Sequence, residues 1–422
     1  MIDKNLFPYD LAVTAIFKNE ARYLKEWLDY HLAAGVDHFY LYNNESSDNF
    51  AEVLAPYINE NLVTFTDFPG KLMQIPAYVD ALNRFKFHCR CMAFIDLDEF
   101  ILPQTNRSIV EVVDEILSRD SNAAALAISE HSFGSNGLET ADYSKGILER
   151  FTRRAPDKWE DFIQREENFL RVGNMYVKII ANPRLLKFML GPHVAVNFGG
   201  KYSINERGEK IEGYADESMC ADKIIINHYS IKSREEYFAK NRRGVACDKK
   251  NPYSEQLFEK FDRNDVFDDG ILTYRNVRAE NFSVESDADR LARVTKTLTE
   301  ILTQRSPFDA PAEFFAGKLE TFLTCRALAE AFDVKIGARS AEEYALVWIY
   351  QCMAKTSAYA DLQLFLSDLP EILARPFPLC KKLNQIARKK IFPVIYKDLA
   401  AELDWSNFYD YNYIHRLLNA MK

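Results

Sequence analysis

Short apolar runs alternate with longer, partly polar segments along the first hundred residues of the chain. In the longer segments apolar residues recur every three or four positions, which is the spacing of an amphipathic helix. The apolar runs have the length of buried strands, and they cover residues 11–17, 38–42, 62–65 and 92–95. Strands that alternate with helices form a parallel sheet with helices on both faces. The pattern therefore predicts an α/β fold with a Rossmann-like, mainly parallel central sheet.

Several residue types predict where helices begin and end. Asn19 is expected to cap the helix that follows the first strand, and Gly35 to end that helix in the left-handed conformation. Ser108 and Ser233 each have a glutamate three positions later, which is the capping-box pattern at a helix start. Further apolar strands are expected at 123–128, 175–180, 194–198 and 223–227.

The pattern changes after about residue 276. Strand-like runs disappear, and apolar residues recur at helical spacing, as at Leu291, Val294 and Leu298. A chain of 422 residues is long for a single core, so two domains are expected. We predict an α/β domain at 1–275 and an all-α domain of unknown role at 276–422.

Composition narrows the classes of partner and compartment. The net charge is −9, so no basic field would attract nucleic acid. The seven cysteines include no Cys-x-x-Cys pair, which favours free thiols in a reducing compartment. The first apolar run is too short to span a bilayer, so the chain is predicted to be cytoplasmic without a transmembrane segment. Basic residues at 381–397 predict a solvated helix face, or a surface for peripheral membrane contact.

The apolar run at 92–95 leads into two carboxylates, Asp96 and Asp98. If the strand continues through them, both side chains lie on one face at its carboxyl end, where ligand crevices of α/β sheets form. Two carboxylates repel each other unless a cation lies between them. A divalent ion shared with substrate phosphates would satisfy both. A polar turn that closes the strand is the alternative interpretation, and a common one for so short a motif.

Polar residues follow the first two strands, where the carboxyl ends of neighbouring parallel strands meet. Their amides and hydroxyls suit a base and a ribose, although ordinary turn chemistry explains Asn19 and Ser46 equally well. Lys232, near a later helix start, could face a phosphate or be a solvated charge. The predicted donor-binding residues are Lys18, Asn19, Glu20, Asn44, Ser46, Asp48, Gln74, Asp96 and Lys232.

His228 directly follows the predicted strand at 223–227. A histidine in this position is often structural, but a neutral imidazole could also complete a metal site begun by the two aspartates. The segment Phe133–Gly134–Ser135 combines a small and a polar residue, so its backbone could approach a ligand closely, or form a tight turn.

Several ordered motifs resemble glycosyltransferase family 92 and its close relatives in family 2. The resemblance extends over about residues 10–275. The motifs that carry it are 17–20, 24–31, 35–42, 46–49, 93–100, 133–137, 149–151 and 227–229. Asn43 departs from the pattern, since the family commonly has an acid there, and Cys91 and Glu130 stand where it tends to have tryptophan.

The resemblance implies a GT-A fold, a nucleotide-sugar donor that is usually a UDP-sugar, and a manganese or magnesium ion. It also implies inversion at the anomeric carbon. We therefore predict a metal-dependent glycosyltransferase of polysaccharide biosynthesis, with a glycan or glycolipid acceptor. Its metal ligands are predicted to be Asp96, Asp98 and His228. Its acceptor loop is predicted at 133–135, and its catalytic base is predicted to be Glu130 or His193.

Two other classes stay open at this point. One is a phosphatase of the haloacid dehalogenase type, whose nucleophilic aspartate also ends an apolar strand. That fold expects threonine or valine two residues after the second aspartate, where this chain has Phe100. The other is a catalytically silent nucleotide-sugar-binding assembly subunit. Intact metal ligands without turnover would identify it.

Overall fold

The computed structural model describes residues 2–164, 169–198, 200–243, 255–280 and 282–355. These residues form two compact units. The first is Phe7–Arg290, and the second combines residues 2–6 with 291–355. The basic residues at 381–397 lie outside the described part of the chain.

The helices and strands of the chain are numbered here in sequence order. The strands are β1 Tyr9–Phe17, β2 His38–Asn43, β3 Val63–Asp67, β4 Cys89–Phe94, β5 Glu99–Pro103, β6 Ala123–Ser132, β7 Arg153–Arg154, β8 Glu160–Gln164, β9 Phe169–Gly173, β10 Val177–Ala181, β11 Leu186–Gly191, β12 Val194–Asn197, β13 Tyr202–Ile204, β14 Lys210–Ile211, β15 Ile224–His228, β16 Val266–Phe267, β17 Lys335–Ile336 and β18 Arg339–Ser340. The helices are α1 Ala21–Ala33, α2 Phe50–Asn59, α3 Gln74–Phe85, α4 Ile109–Leu117, α5 Ile147–Arg150, α6 Arg234–Arg243, α7 Glu255–Phe261, α8 Gly270–Glu280, α9 Asp287–Thr303, α10 Leu319–Ala331 and α11 Ala341–Lys355.

A ten-stranded mixed sheet organises the first unit. Its main path runs β14-β13-β6-β10-β4-β1-β2-β3, and β15 pairs with both β5 and β6. The pairs β4-β1, β1-β2, β2-β3, β13-β6 and β15-β6 are parallel. The strand β10 runs antiparallel to both of its neighbours, β4 and β6. The predicted fold class, an α/β domain with a mainly parallel sheet and a helical region after it, is confirmed.

The sheet is buried on both faces, which explains why its strands read as continuous apolar runs. In β1, Leu11 and Val13 belong to one core cluster, and Ala12 and Ile16 belong to another. Helices α1 and α4 contribute to the first cluster, and α3 contributes to the second. The carboxyl ends of β1, β2 and β4 therefore open at one edge of a rigid layer.

The apolar run before Asp96 is not one strand that continues through both aspartates. The strand β4 ends at Phe94, and β5 begins at Glu99, so Asp96 and Asp98 lie in the turn between them. The amide of Glu99 donates a hydrogen bond to the carbonyl of Asp96, 3.1 Å away, which closes this turn. The predicted arrangement, with both carboxylates on one strand face, is wrong for this reason.

Helix boundaries were predicted correctly where the capping residue is next to the helix in the sequence. The capping boxes at Ser108 and Ser233 are both present, and Gly35 has the expected positive φ of 102°. The prediction for Asn19 is wrong, since α1 begins at Ala21 with Glu20 at the N-cap. The carboxylate of Asp48, from the next loop, accepts the hydrogen bond of the Ala21 amide at 2.8 Å.

The second unit is mainly helical where it is described. Trp348 lies at its centre, stacked on Phe322 with 5.0 Å between ring centroids, and its indole N–H donates to the carbonyl of Leu302. The strands β17 and β18, of two residues each, also form a short antiparallel hairpin. The boundary predicted after residue 275 stays a prediction, and it falls within α8. No helix in the described part of the chain combines the length and apolar character that crossing a membrane requires.

Gly35→Ala should destabilise the protein more than Gly208→Ala. Both glycines have positive φ, so alanine is strained at either position by about 1–2 kcal/mol. At Gly35 a Cβ would also lie 2.9 Å from the Cβ of Ser108, whereas at Gly208 none of the described residues would lie within 4 Å of it. Relieving that crowding should cost roughly another 1–3 kcal/mol. Denaturant unfolding of both variants checks this, and equal losses would show that Ser108 moves aside without cost.

The free energy of unfolding should also depend on pH through His31, whose side chain is fully buried. Burial lowers the pKa of His31 from 6.5 to about 3, although its hydrogen bond to the carbonyl of Trp27 opposes the change. The unfolded chain takes up a proton below pH 6.5 while the folded protein does not, so stability is full above pH 6.5 and is lost toward pH 3. At pH 5 the loss is about 2 kcal/mol, from about 1.36 kcal/mol per pH unit.

The measurement is the free energy of unfolding of the wild type and of His31→Gln at pH 7 and pH 5. The difference between the two proteins should shrink at pH 5, because only the wild type loses the contribution of a buried neutral imidazole. A difference that stays the same at both pH values would contradict this role of His31.

Candidate active site

Antiparallel pairing of β5 with β15 brings two predicted site segments together. His228, the last residue of β15, pairs with Glu99, the first residue of β5. Asp98 precedes Glu99 directly. The Nε2 atom of His228 lies 3.8 Å from Oδ1 of Asp98 and 3.8 Å from Oε1 of Glu99. Ligand atoms of the three residues all lie within 4.8 Å of one another, so they can surround one cation.

The donor chemistry of this group fits a divalent cation. Glu99 is fully buried, and burial raises its pKa to about 8 although Lys178 opposes the change. Its Oε2 accepts a hydrogen bond from the amide of Asp96. Its Oε1 accepts no hydrogen bond from the described part of the chain, although it forms an ion pair with Lys178 Nζ at 3.1 Å. A buried oxygen without a donor is costly, and Mg²⁺ or Mn²⁺ would satisfy it.

Glu130 orients His228 from the strand β6. Its Oε2 lies 2.9 Å from Nδ1 of His228, so the Nδ1–H donates to the carboxylate and Nε2 faces the acids of the group. Burial lowers the pKa of His228, but the Glu130 carboxylate outweighs it and raises the value to about 9. Burial also opposes the ionised form of Glu130, and His228 nevertheless holds its pKa at about 2. A carboxylate behind a ligating imidazole is a common feature of metal sites.

Asp96 faces a different set of partners from Asp98. Its Oδ1 accepts from Gln74 at 2.6 Å and from Tyr78 at 3.3 Å, and its Oδ2 accepts from Lys178 at 2.7 Å. Both of its oxygens are therefore engaged outside the Asp98, Glu99 and His228 group. The predicted roles of Asp96 and Gln74, in metal or donor binding, stay predictions.

Asp98 is surrounded by lysines. Lys240 on α6 lies 2.5 Å from Oδ2 of Asp98, and Lys232 lies 3.7 Å from the same atom. Burial opposes the charged form, but these ammonium groups hold the pKa of Asp98 well below its usual range. Asp98 is thus an ionised carboxylate at any physiological pH. Lys240 was not identified from the sequence, because it lies twelve residues after His228 in a polar segment rich in other charges.

A cleft of about 230 Å³ opens beside these lysines. Three predicted donor residues, Asn19, Glu20 and Lys232, line it. Its remaining lining residues are Arg22, Tyr23, Tyr143, Ser230, Ile231, Glu236, Ala239 and Lys240. Lys18 pairs with Glu45 at 3.7 Å and does not belong to this lining.

The other predicted donor residues hold the loops after β1 and β2 together. Asn44 donates to the carbonyls of Phe68 and Gly70. Ser46 accepts from the amide of Asn19, and Asp48 accepts from the first amide of α1. These contacts are the turn chemistry that the sequence offered as an alternative. Direct donor contacts by Asn44, Ser46 and Asp48 stay predictions.

The predicted acceptor loop is buried in this structure. Phe133 is fully buried against Tyr229, with 4.5 Å between ring centroids. The amides of Gly134 and Ser135 donate to the Arg153 carbonyl and to the Asp262 carboxylate. The loop therefore contacts other parts of the chain, and its acceptor role stays a prediction.

His193, one of the two predicted bases, lies at the turn between β11 and β12. Its Nδ1–H donates to the carbonyl of Val177 at 2.8 Å, which leaves Nε2 as the proton-accepting atom. Burial, reinforced by Lys178, lowers its pKa to about 4, so the ring is neutral at pH 7. Lys178 is the single lysine of the apolar strand 177–181, and this is the signal in the sequence that points to its place in the centre.

Comparison with known proteins finds plant relatives of one family. A glycosyltransferase family 92 protein of Ricinus communis is 27% identical over 162 residues, which is 38% of this chain and 29% of that protein. One from Oryza sativa subsp. japonica is 29% identical over 37% of this chain and 27% of its own length. One from Arabidopsis thaliana is 25% identical over 56% and 38% respectively. The chain thus spans less than two fifths of each of these relatives.

Among solved structures, the chain is similar to S. aureus TarS 1-349, with a TM-score of 0.30 and 15% identity over 82% of this chain and 93% of that one. The structure of the same protein in complex with UDP gives a TM-score of 0.27 and 10% identity over the same shares of the two chains. The sequence model of glycosyltransferase family 92 matches residues 11–278, close to the range of the motif resemblance. Since that match extends over more than half of the 422 residues, the chain belongs to glycosyltransferase family 92.

Proposed function

We propose that the protein is a metal-dependent glycosyltransferase. It moves a sugar from a UDP-sugar to a hydroxyl group of a glycan or glycolipid, with inversion at the anomeric carbon. One observation carries the proposal: Asp98, Glu99 and His228 converge within 4.8 Å beside a cleft that two lysines line. This arrangement offers a cation site and a phosphate site next to each other, which a diphosphate leaving group requires.

Asp98, Glu99 and His228 would hold the metal, with Glu130 fixing the imidazole ring. Bound Mn²⁺ or Mg²⁺ would neutralise charge on the departing diphosphate. Lys232 and Lys240 supply further positive charge on the cleft side, where Lys232 is buried and close to Asp98. The cleft can therefore stabilise negative charge that develops as the sugar bond breaks.

The acceptor hydroxyl has to lose a proton to a base of the chain. Glu130 and His193 are both retained for this role. Glu130 is ionised but engaged with His228 at 2.9 Å, whereas His193 is neutral with Nε2 as its accepting atom. The contacts support a positioning role for Glu130 and leave His193 better suited to accept a proton.

Membership of family 92 favours sugar transfer over the phosphatase interpretation. A silent nucleotide-sugar binder would share the same site. Turnover separates the two classes, because a transferase releases UDP from a UDP-sugar in the presence of an acceptor or of water. Incubation with a panel of UDP-sugars and manganese should therefore release UDP, and binding without release from any of them would favour the silent subunit.

UDP should bind appreciably only when manganese or magnesium is present. The buried carboxylates beside the cleft would repel a diphosphate if no cation lay between them. Calorimetric titration of UDP in the presence of Mn²⁺ and in the presence of chelator measures the difference. Equal affinities in the two conditions would reject the metal assignment. In His228→Ala, Mn²⁺ should bind the UDP complex more weakly, whereas His88→Ala, outside the group, should leave the affinity unchanged.

The acids of the motif should differ in their importance for metal binding. Glu99→Gln replaces the carboxyl group whose Oε1 faces the site with a neutral amide that cannot ionise on metal binding, so Mn²⁺ affinity should fall roughly tenfold to a hundredfold. Asp96→Asn should change the affinity less, because Gln74 and Lys178 already engage the Asp96 carboxylate. Calorimetry with Mn²⁺ on both variants, with melting temperature as the folding control, makes the comparison. A larger loss in Asp96→Asn would show that Asp96 is the ligand.

A further inference from the structure

Two lysines contact the carboxylate that we assign as a metal ligand. Lys240 Nζ lies 2.5 Å from Oδ2 of Asp98, and Lys232 Nζ lies 3.7 Å from the same oxygen. The side chain of Asp98 is 7% exposed, so water screens these charges only weakly. The other oxygen, Oδ1, faces His228 Nε2, so a metal ion that binds Asp98 there has to compete with the ammonium groups for the charge of one carboxylate.

Lys232 is fixed in place by a buried ionic network. Its φ is +56°, a conformation that non-glycine residues rarely adopt and that persists only when neighbours determine it. The next residue, Ser233, caps α6 by bonding to Glu236. Glu236 in turn receives two hydrogen bonds from Arg150 and one from Tyr23. A strained backbone at Lys232, held in place by this network, indicates that the Lys232 side chain has one fixed direction.

The ring of Tyr23 directs that side chain along the cleft. Lys232 Nζ lies 4.9 Å above the ring centroid. Lys240 reaches the same cleft from the second turn of α6, and Arg22 contributes a third positive charge to its lining. Of the two acids in the lining, Glu236 is already paired with Arg150. The cleft thus favours an anion, and a diphosphate has the matching charge.

The net charge of the residues around the proposed metal site also favours an anion in the cleft. It contains three lysines and four carboxyl groups: Lys178, Lys232, Lys240, Asp96, Asp98, Glu99 and Glu130. Metal ligands have to be deprotonated, so with a metal bound His228 is neutral, all four carboxyl groups are ionised, and the lysines offset all but one of the negative charges. A divalent cation would therefore leave the cluster with a net positive charge. Excess positive charge in a partly buried site is costly unless an anion accompanies it.

We propose that Lys240, assisted by Lys232, exchanges the Asp98 carboxylate for the diphosphate of the donor when a metal ion binds to Asp98. The exchange couples metal binding to nucleotide binding, and it rests on the proposed function. The metal draws on the charge of the Asp98 carboxylate through Oδ1, which faces His228, and so weakens its hold on the lysines at Oδ2, whose ammonium groups then turn to the cleft. Each ligand therefore favours the arrangement that the other requires. By linkage, manganese raises UDP affinity by the same factor as UDP raises manganese affinity.

The test is Lys240→Met, which removes the charge and keeps the length of the side chain. Without nucleotide, Mn²⁺ should bind this variant more tightly than the wild type, because the nearer of the two ammonium groups no longer competes for Asp98. With saturating Mn²⁺, UDP should bind it more weakly, because a phosphate partner is lost. We expect each change to be about five- to a hundredfold, the usual range for coupling between two sites. A purely structural role of Lys240 would weaken both affinities together.

Lys25→Met is the matched control. Lys25 is exposed on α1, where it pairs with Asp29, so this variant has the same net charge and an intact cleft. Both of its affinities should equal those of the wild type. Melting temperatures of the two variants show whether either has lost its fold, and Lys240→Arg, which keeps the charge, should restore the wild-type pattern.

The outcomes separate this inference from the proposed function. If the wild type binds UDP with manganese but Lys240→Met shows unchanged or weaker Mn²⁺ affinity without nucleotide, the exchange is wrong and the transferase assignment stands. If the wild type does not bind UDP with any divalent cation, the proposed function fails and the exchange fails with it. Opposite changes in the two affinities of Lys240→Met would establish the exchange.

Discussion

The pairing of β15 with β5 determines where the charged residues of the site meet. It is antiparallel, and its last pair joins His228 to Glu99. β15 also runs parallel to β6, which places Glu130 behind the imidazole. A shift of one residue in this register would turn His228 to the opposite face of the sheet. The three strands therefore fix Glu99, Glu130 and His228 relative to one another through backbone hydrogen bonds.

Burial of so many charges is possible because each has a partner of opposite sign. Lys178 is 1% exposed and contacts Asp96 and Glu99, and Arg150 and Glu236 pair at similar depth. An isolated charge at such positions would be too costly to keep. Glu99 differs from the other buried charges in one respect. One of its oxygens accepts no hydrogen bond from the described part of the chain. That oxygen, together with Asp98 and His228 within 4.8 Å, is the strongest structural support for a cation at this site.

Much of this architecture could be predicted because it depends on patterns local in sequence. Buried strands gave continuous apolar runs, and the capping boxes at Ser108 and Ser233 lie within four residues each. The break between β4 and β5 could not be predicted from the sequence. Apolar residues, Phe94 and Phe100, lie on both sides of the break, and a turn that alternates Asp and Leu has the pattern of a strand end. The partners of Asp96 and Asp98 come from α3, β10 and α6, and pairing across such separations leaves no periodic signal. The prediction that Asn19 caps α1 was wrong for a related reason. Asp48, from another loop, accepts the hydrogen bond of the first amide of the helix.

The distance along the chain between the members of the charged cluster has a consequence for biosynthesis. Lys240 follows Asp98 by 142 residues, and Lys178 follows Asp96 by 82. A nascent chain that has emerged only as far as β6 carries the acids of the motif without any of these lysines. Long-range contacts of this kind form late and slowly. Asp96 and Glu99 therefore lack their native lysine until β10 has left the ribosome, and Asp98 lacks Lys240 until α6 has left it.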